Sequence, residues 1–258
     1  MEWFGLVVET LFPQVIDRID FGVDSDAAKH VMVFGSSGTG KTSFVNAITG
    51  GNMPTGNGAS GVTLESHEFR ASHDGVDYRI VDTAGLNEAD RGAVSGYDAV
   101  KGLVQLLKRT EDGLNLMVMV VEKGRLHAST LDNYKLFVGE MTFNLVPLLI
   151  VVTHCEREDG DMQGWVDANM QDIVSRGIRA RKIVATTFIT PNRDLDNVVA
   201  MNRKVRHSVD LSWDAIRTCA TASRVDFLGQ GGGVKVTARK MYNAVARHIG
   251  AGAVRVSE

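Results

Sequence analysis

Hydrophobic and polar residues follow two different patterns along this chain. Short continuous hydrophobic runs are typical of buried strands, whereas hydrophobic residues that recur every three or four positions are typical of helices packed on one side. The runs predict strands at residues 31–34, 63–70, 77–82, 115–121, 146–152 and 181–188. The second pattern predicts helices at residues 42–49, 94–109, 128–139, 163–176 and 234–249, and a long helical stretch that begins near residue 193.

Alternation of strands with helices is typical of an α/β fold, and it predicts a mainly parallel central sheet of about six strands with helices on both faces. Residues 27–226 contain all of these strands and form the predicted central domain. Residues 1–26 predict an N-terminal helical extension that Pro13 would kink. Residues 227–258 predict a glycine-rich linker, at 229–233, followed by a last helix.

The net charge, the cysteine count and the N-terminal sequence limit the partners and the compartment that we expect for this protein. The chain has 258 residues and a formal net charge of −3, which gives no electrostatic reason to expect nucleic acid or an anionic membrane. Two cysteines, Cys155 and Cys219, are too few for a disulfide framework. The first residues lack the basic region of a signal peptide, so we expect a cytoplasmic protein. We expect the N-terminal segment to pack on the core or on a second copy of the chain, since the sequence does not support membrane association.

A glycine-rich segment between the first strand and the first helix fits the full P-loop pattern. Glycines let successive backbone N–H groups point inward, and the following helix adds its partial positive charge, so the segment predicts a phosphate site. In this pattern the lysine reaches the β and γ phosphates and the next hydroxyl ligates Mg²⁺. We predict phosphate contacts from Gly35, Ser36, Ser37, Gly38, Thr39, Gly40, Lys41, Thr42 and Ser43, with Lys41 catalytic and Thr42 on the metal.

A second motif, Asp-x-x-Gly, ends the strand at 77–82. We predict that Asp82 holds Mg²⁺ through a water and that the Gly85 N–H senses the γ-phosphate. Thr63 is the predicted third metal ligand and a catalytic residue, because its hydroxyl would complete the metal shell when a triphosphate is bound. Thr55 and Ser60 compete for that role.

Two strand ends predict the contacts to the base. Thr153-His154-Cys155-Glu156 follows the strand at 146–152, and its carboxylate can accept two hydrogen bonds from the N1 and N2 edge of guanine. Adenine offers no such pair of donors. We predict base contacts from Thr153, His154 and Glu156, and from Thr186 and Thr187 in the segment Ala185 to Phe188. Together these motifs predict a P-loop NTPase G domain that binds GTP or GDP with Mg²⁺.

The chain resembles the AIG1/GIMAP branch of septin-like and Toc-like GTPases over about residues 29–190. The segments that carry this resemblance are Phe44 to Gly50, Gly61 to Thr63, Thr153 to Glu156, Gly124 to Thr130, and Leu136 to Gly139. The resemblance implies a GTP-binding domain that self-associates through its nucleotide face, often at a membrane. His154 departs from the family pattern, which more often has arginine there.

The sequence lacks the glutamine that many GTPases use for hydrolysis. Many GTPases orient the attacking water with a glutamine just after Asp-x-x-Gly, but Leu86 occupies that position. Asn87 and Glu88 are nearby polar residues, and we expect slow intrinsic turnover. We hypothesise that Arg125 acts catalytically across a GTP-dependent homodimer as an arginine finger.

Three functions remain open from the sequence. The preferred one is a slow GTPase switch that dimerises in the GTP state and acts on a protein effector. The second is a catalytically poor, GTP-dependent scaffold, for which Leu86 is the main argument. The third is a P-loop ATPase or kinase, against which Asp82 and Glu156 argue.

Overall fold

The computed structural model describes residues 27–51, 66–83, 96–158, 160–189 and 198–231, together with 237, 240 and 241. Its six strands are β1 Lys29–Phe34, β2 Ser66–His73, β3 Val76–Thr83, β4 Leu116–Glu122, β5 Leu148–Thr153 and β6 Lys182–Ala185. The α-helices are α1 Lys41–Thr49, α2 Gly96–Arg109, α3 Ala128–Asn133, α4 Gln163–Ser175, α5 Val198–Cys219 and α6 Phe227–Gly231. A π-helix, Tyr134–Met141, continues directly from α3.

One six-stranded sheet organises the domain, with the strand order β2-β3-β1-β4-β5-β6. β2 and β3 pair antiparallel through the turn at Asp74 and Gly75, and the other neighbouring strands are parallel. The predicted α/β fold is therefore confirmed. Because β3, β1, β4, β5 and β6 run parallel, their carboxyl ends meet at one edge of the sheet, where α/β proteins bind ligands.

The sheet has a hydrophobic core on each face. Successive residues of a strand point to opposite faces, so Met32 and Phe34 belong to one core while Val31 and Val33 belong to the other. The first core is covered by α2, the π-helix and α4, with Leu107, Phe137 and Val166 among the contributing side chains. The second is covered by α1 and α5, through Phe44, Val45, Ile48, Trp213 and Ile216. Helices thus lie on both faces, as predicted.

The third predicted helix and β6 differ from the sequence prediction in ways that their hydrogen bonds explain. The helix predicted at 128–139 is split, because its second half widens into the π-helix, and Thr142 donates its N–H to Phe137 O at 3.2 Å, five residues back. The strand predicted at 181–188 ends earlier, at Ala185. It ends there because the Thr187 N–H donates to Ser208 Oγ of α5 at 2.9 Å instead of to a neighbouring strand.

The two terminal segments are only partly described. Residues 1–26 lie outside the described residues, and the predicted domain boundaries stay predictions. The predicted glycine-rich linker begins inside α6, whose Phe227 and Leu228 are buried in the first core together with Met241. None of the described helices combines the length and hydrophobicity needed to cross a membrane.

Candidate nucleotide-binding site

The phosphate loop leaves β1 at Gly35 and enters α1 at Lys41. Gly35 has φ of 152°, and a Cβ built there would lie 2.2 Å from Val120 O of β4. Gly40 has φ of 84°, a left-handed conformation that starts the helix. The glycines at these two positions are therefore required by a close approach and by a backbone turn, as the sequence pattern predicts.

Helix α1 begins without any side-chain cap. Its N-cap residue, Gly40, makes no side-chain hydrogen bond, and the first turn contains no acidic residue. The first N–H groups of a helix have no acceptor within the helix, and they carry its partial positive charge. Thr42 and Ser43 are half-buried in this first turn. The start of α1 therefore has the donors and the electrostatics of a phosphate site.

Ser36 organises the interior of the loop. Its carbonyl oxygen accepts hydrogen bonds from Lys41 Nζ at 2.8 Å and from Thr39 Oγ1 at 2.8 Å. Lys41 and Thr39 are buried, whereas Ser37 and Gly38 are exposed at the loop tip. The Lys41 ammonium is thus held inside the curl of the loop, next to the N-terminus of α1, where its charge suits a phosphate.

Asp82 lies beside the loop because β1 and β3 are neighbours, with Val33 paired to Asp82. Its side chain is buried, and its Oδ1 has no hydrogen-bond partner within the part of the chain that the structure describes. Burial raises the pKa of this carboxyl, and the nearby charges of Lys41 and His67 oppose that rise. A buried carboxylate oxygen without a donor fits a divalent cation, bound directly or through water. The described residues therefore fit the predicted magnesium site.

Two residues of the predicted site lie outside the described residues. These are Thr63, the predicted third magnesium ligand, and Gly85, the predicted γ-phosphate sensor. Leu86, in the position of the usual glutamine, lies outside them as well. Their roles stay predictions.

Thr153 supports the phosphate loop. Its hydroxyl is buried, at 2.7 Å from Thr39 O and 3.1 Å from Val121 O. Its methyl group would lie 3.4 Å from a Cβ at Gly40, so the loop packs directly on this side chain. The sequence predicts that Thr153 contacts the base, and the geometry shows that its side chain lies beneath the phosphate loop.

The two predicted base segments lie together. Glu156 is half-buried, and its Oε2 accepts a hydrogen bond from Thr187 Oγ1 at 3.1 Å. The backbone links them as well, because the Cys155 N–H donates to Thr186 O at 3.1 Å. The Thr186 hydroxyl instead donates to Val152 O at 2.9 Å, so Thr186 holds the end of β6 against β5. Of the two threonines, Thr187 is the one that orients the carboxylate.

His154 and Arg125 are both exposed at the same edge of the sheet. His154 has φ of 60°, and its Nδ1 lies 3.0 Å from Thr153 Oγ1. Arg125 follows β4 in a turn that contains Gly124. Exposure at the carboxyl edge is what a residue needs in order to reach a second molecule.

Sequence reasoning missed two polar residues that contact the phosphate loop. The Ser36 hydroxyl donates to Ser129 Oγ at 3.3 Å and accepts from Asn133 Nδ2 at 3.1 Å. Both residues lie on α3, about one helical turn apart. The spacing of Ser129 and Asn133 by four positions on a helix is the only sequence signal for this contact, and it is far too common to single them out.

Comparison with known proteins agrees with this site. Residues 30–154 match the family described as "50S ribosome-binding GTPase". GTPase Der from Chloroherpeton thalassium is 37% identical over 84 residues, which are 32% of this chain and 19% of that protein. The chain therefore spans about a fifth of the length of this relative. Residues 30–154 are therefore similar to a P-loop GTPase domain, and the geometry of the phosphate loop fits that similarity.

Two solved structures share the fold. Toc33 from Arabidopsis thaliana in complex with GDP and Mg²⁺ has a TM-score of 0.51 and 12% identity, and the match covers 93% of each chain. A second structure, of the chloroplast translocon components atToc33 and psToc159, has a TM-score of 0.51 and 15% identity, covering 83% of this chain and 88% of that one. At these identities the likeness concerns the fold. The AIG1/GIMAP branch itself is not singled out and stays a prediction.

Proposed function

We propose that this protein is a guanine-nucleotide switch that binds GTP and GDP with Mg²⁺ and hydrolyses GTP slowly. The observation that carries this proposal is the position of Glu156, which Thr187 holds at the same edge of the sheet as the phosphate loop. A carboxylate there accepts the N1 and N2 hydrogens of guanine. Adenine would leave the carboxylate without donors, at a cost typical of an unpaired buried polar group.

Nucleotide affinity tests this assignment directly. We expect calorimetry in the presence of magnesium to give tighter binding of GDP and GTPγS than of ADP and ATPγS. Substitution Glu156→Ala should weaken GDP binding by about tenfold or more, since hydrogen bonds to charged groups contribute roughly 1.5–3 kcal/mol. Glu140→Ala provides a control on the π-helix, away from the base loops. Equal affinity of the wild type for adenine and guanine nucleotides would contradict the guanine assignment.

Hydrolysis would use the phosphate side of the site. Water attacks the γ-phosphorus, the bond to the bridging oxygen breaks, and GDP and phosphate leave. Lys41, held inside the loop, would stabilise charge on the phosphates as that bond breaks. Magnesium, when bound by Thr42, Asp82 and Thr63, supplies further charge neutralisation. Leu86 offers no group that orients water, which favours slow intrinsic turnover.

Dimerisation in the GTP state is the second part of the proposal. Dimerisation is important for the GTPase activity of the chloroplast translocon components atToc33 and psToc159, whose fold this chain shares. In this chain Arg125 is exposed at the nucleotide edge, and we propose that it reaches the phosphates of a second copy. An arginine finger contributes a rate factor of about 10³–10⁵ in other GTPases.

Concentration dependence tests the role of Arg125. We expect turnover per molecule to rise with protein concentration, and Arg125→Ala to remove that rise while GDP affinity stays within about twofold. Arg176→Ala is the control variant, because Arg176 is an exposed arginine that follows α4 at the opposite edge of the sheet. Unchanged turnover of Arg125→Ala at high concentration would eliminate the trans-acting role.

A catalytically poor scaffold is the alternative function, favoured by Leu86. It predicts GTP binding and a GTP-dependent change in size by light scattering, with turnover that does not respond to concentration. The same measurements therefore separate a switch from a scaffold. An ATPase is disfavoured by Glu156 and would be recognised by its adenine affinity.

A further inference from the structure

Helix α5 places a lysine against the loop that carries Glu156. Lys204 Nζ donates hydrogen bonds to Glu156 O at 2.8 Å and to Glu158 O at 2.8 Å. These carbonyls belong to residues 48 and 46 positions earlier in the chain, respectively. The lysine is half-buried, and two of its three donors are used on this loop. Lys204 therefore holds this loop against helix α5 at Glu156, the residue predicted to bind the base.

One turn further along α5, a serine holds the second base segment. Ser208 is completely buried, and its Oγ accepts the Thr187 N–H at 2.9 Å while donating to Lys204 O at 2.8 Å. Thr187 in turn donates its hydroxyl to the Glu156 carboxylate. Lys204 thus fixes the backbone of Glu156, and Ser208 fixes the residue that orients its side chain.

These contacts are not explained by ordinary surface electrostatics. The Glu158 carboxylate already pairs with Lys123 at the end of β4, and Lys204 binds the backbone carbonyl of Glu158 rather than its side chain. Backbone carbonyls outside a strand or helix need donors, and a charged donor shared by two of them restricts the loop strongly. A carboxylate that must accept two hydrogen bonds at once depends on such restriction, because small misplacements lose both.

We propose that Lys204 and Ser208 are positioning residues for guanine specificity, acting on Glu156 from helix α5. The proposal rests on the guanine-nucleotide function given above and extends it to residues that touch no nucleotide. Removing either residue should weaken the recognition of guanine more than the binding of the phosphates, because the phosphate loop is supported separately by Thr153 and α3.

The test compares GDP with IDP, whose base lacks only the 2-amino group that Glu156 would bind. Lys204→Met keeps the length of the side chain and removes its donors, and Arg203→Met on the exposed side of the same helix is its control. Ser208→Ala is matched by Ser212→Ala, because Ser212 is equally buried but donates only to Ser208 O, at 2.6 Å. All four variants and the wild type are titrated with both nucleotides by calorimetry, and their melting temperatures are measured.

We expect Lys204→Met to weaken GDP binding by about tenfold, and Ser208→Ala by about threefold to tenfold, each with a smaller loss for IDP. The preference for GDP over IDP should therefore fall in both variants and stay unchanged in both controls. Ser208→Ala decides the matter if Lys204→Met does not fold, since alanine preserves the helix.

Two results would overturn the inference. One is an unchanged GDP-to-IDP ratio in Ser208→Ala and Lys204→Met, and the other is an equal loss for both nucleotides that follows the melting temperature. A wild type that prefers neither GDP over IDP nor GDP over ADP would instead overturn the proposed function itself, so the two failures are distinguishable.

Discussion

Replacing Thr153 by valine tests whether this residue supports the phosphate loop or reads the base. Valine has nearly the same shape, so the packing against Gly40 is kept while the hydroxyl is lost. That hydroxyl lies 2.7 Å from Thr39 O and 3.1 Å from Val121 O, and it carries one hydrogen. The substitution therefore removes one buried donor that two carbonyl oxygens share.

The size of the effect follows from these contacts. A buried carbonyl that loses its donor costs about 1–3 kcal/mol, so we expect Thr153→Val to lower the free energy of unfolding by roughly 1–2 kcal/mol. For a domain of this size that is a fall in the melting temperature of about 2–8 °C. Because the loosened residue is Thr39, in the phosphate loop, binding of GDP and of IDP should weaken by the same factor, at most about tenfold.

Calorimetric titration and thermal unfolding of Thr153→Val and Thr153→Ser check this reasoning. Serine restores the hydroxyl, so Thr153→Ser should recover most of the stability and nearly all of the affinity. If Thr153→Val lost its preference for GDP over IDP while its affinity for IDP stayed unchanged, Thr153 would not act through the phosphate loop. That result would return Thr153 to the base contacts, where the sequence motif first puts it.

Three further predictions concern other buried groups. Asp82→Asn should weaken GTP binding in magnesium by at least about tenfold. Burial raises the pKa of Asp82 in the folded state, so the ligand-free wild type should gain stability as the pH falls through that raised pKa. Asp82→Asn should not show this gain, and urea unfolding of both proteins at several pH values measures the difference. In the same assay, Gly35→Ala should lower the free energy of unfolding by about 2–5 kcal/mol, because the new Cβ would clash with Val120 O. Gly38→Ala is the control and should cost clearly less, because a Cβ at Gly38 meets nothing within 4 Å. Burial raises the pKa of the Cys155 thiol to about 11, so its alkylation at pH 8 should be about 100-fold slower in the folded protein than in urea, and rapid labelling of the native protein would contradict its buried position.

Much of the fold follows from local pattern. β4 and β5 are continuous hydrophobic runs because both faces of their sheet are covered, and such runs are recognisable without any knowledge of their partners. The phosphate loop is predictable for a related reason. Its chemistry is carried by backbone N–H groups and glycines within eight consecutive positions, so the sequence spacing contains the geometry.

The remaining features depend on contacts between distant residues. Thr153 lies in a motif typical of base recognition, but its hydroxyl donates to Thr39 O, which is 114 residues away in sequence. Ser129 and Asn133 reach Ser36 only because β1 and β4 are neighbours in the sheet. No periodicity in the sequence predicts such contacts. The π-helix is similar, because its residues have an ordinary helical pattern and its wider turns are a tertiary adjustment.

The carboxyl end of β5 joins the two halves of the site. Thr153 supports the phosphate loop, and Glu156 lies only three residues later in the base loop. Between them His154 adopts φ of 60°, a left-handed conformation that costs a residue with a Cβ about 1–2 kcal/mol. The next residue explains why this turn persists, because Cys155 is buried and its N–H is held by Thr186 O. The sharp turn therefore carries Glu156 from the strand toward Thr187, and it sets the position of Glu156 relative to the phosphate loop in a way that no single motif residue does alone.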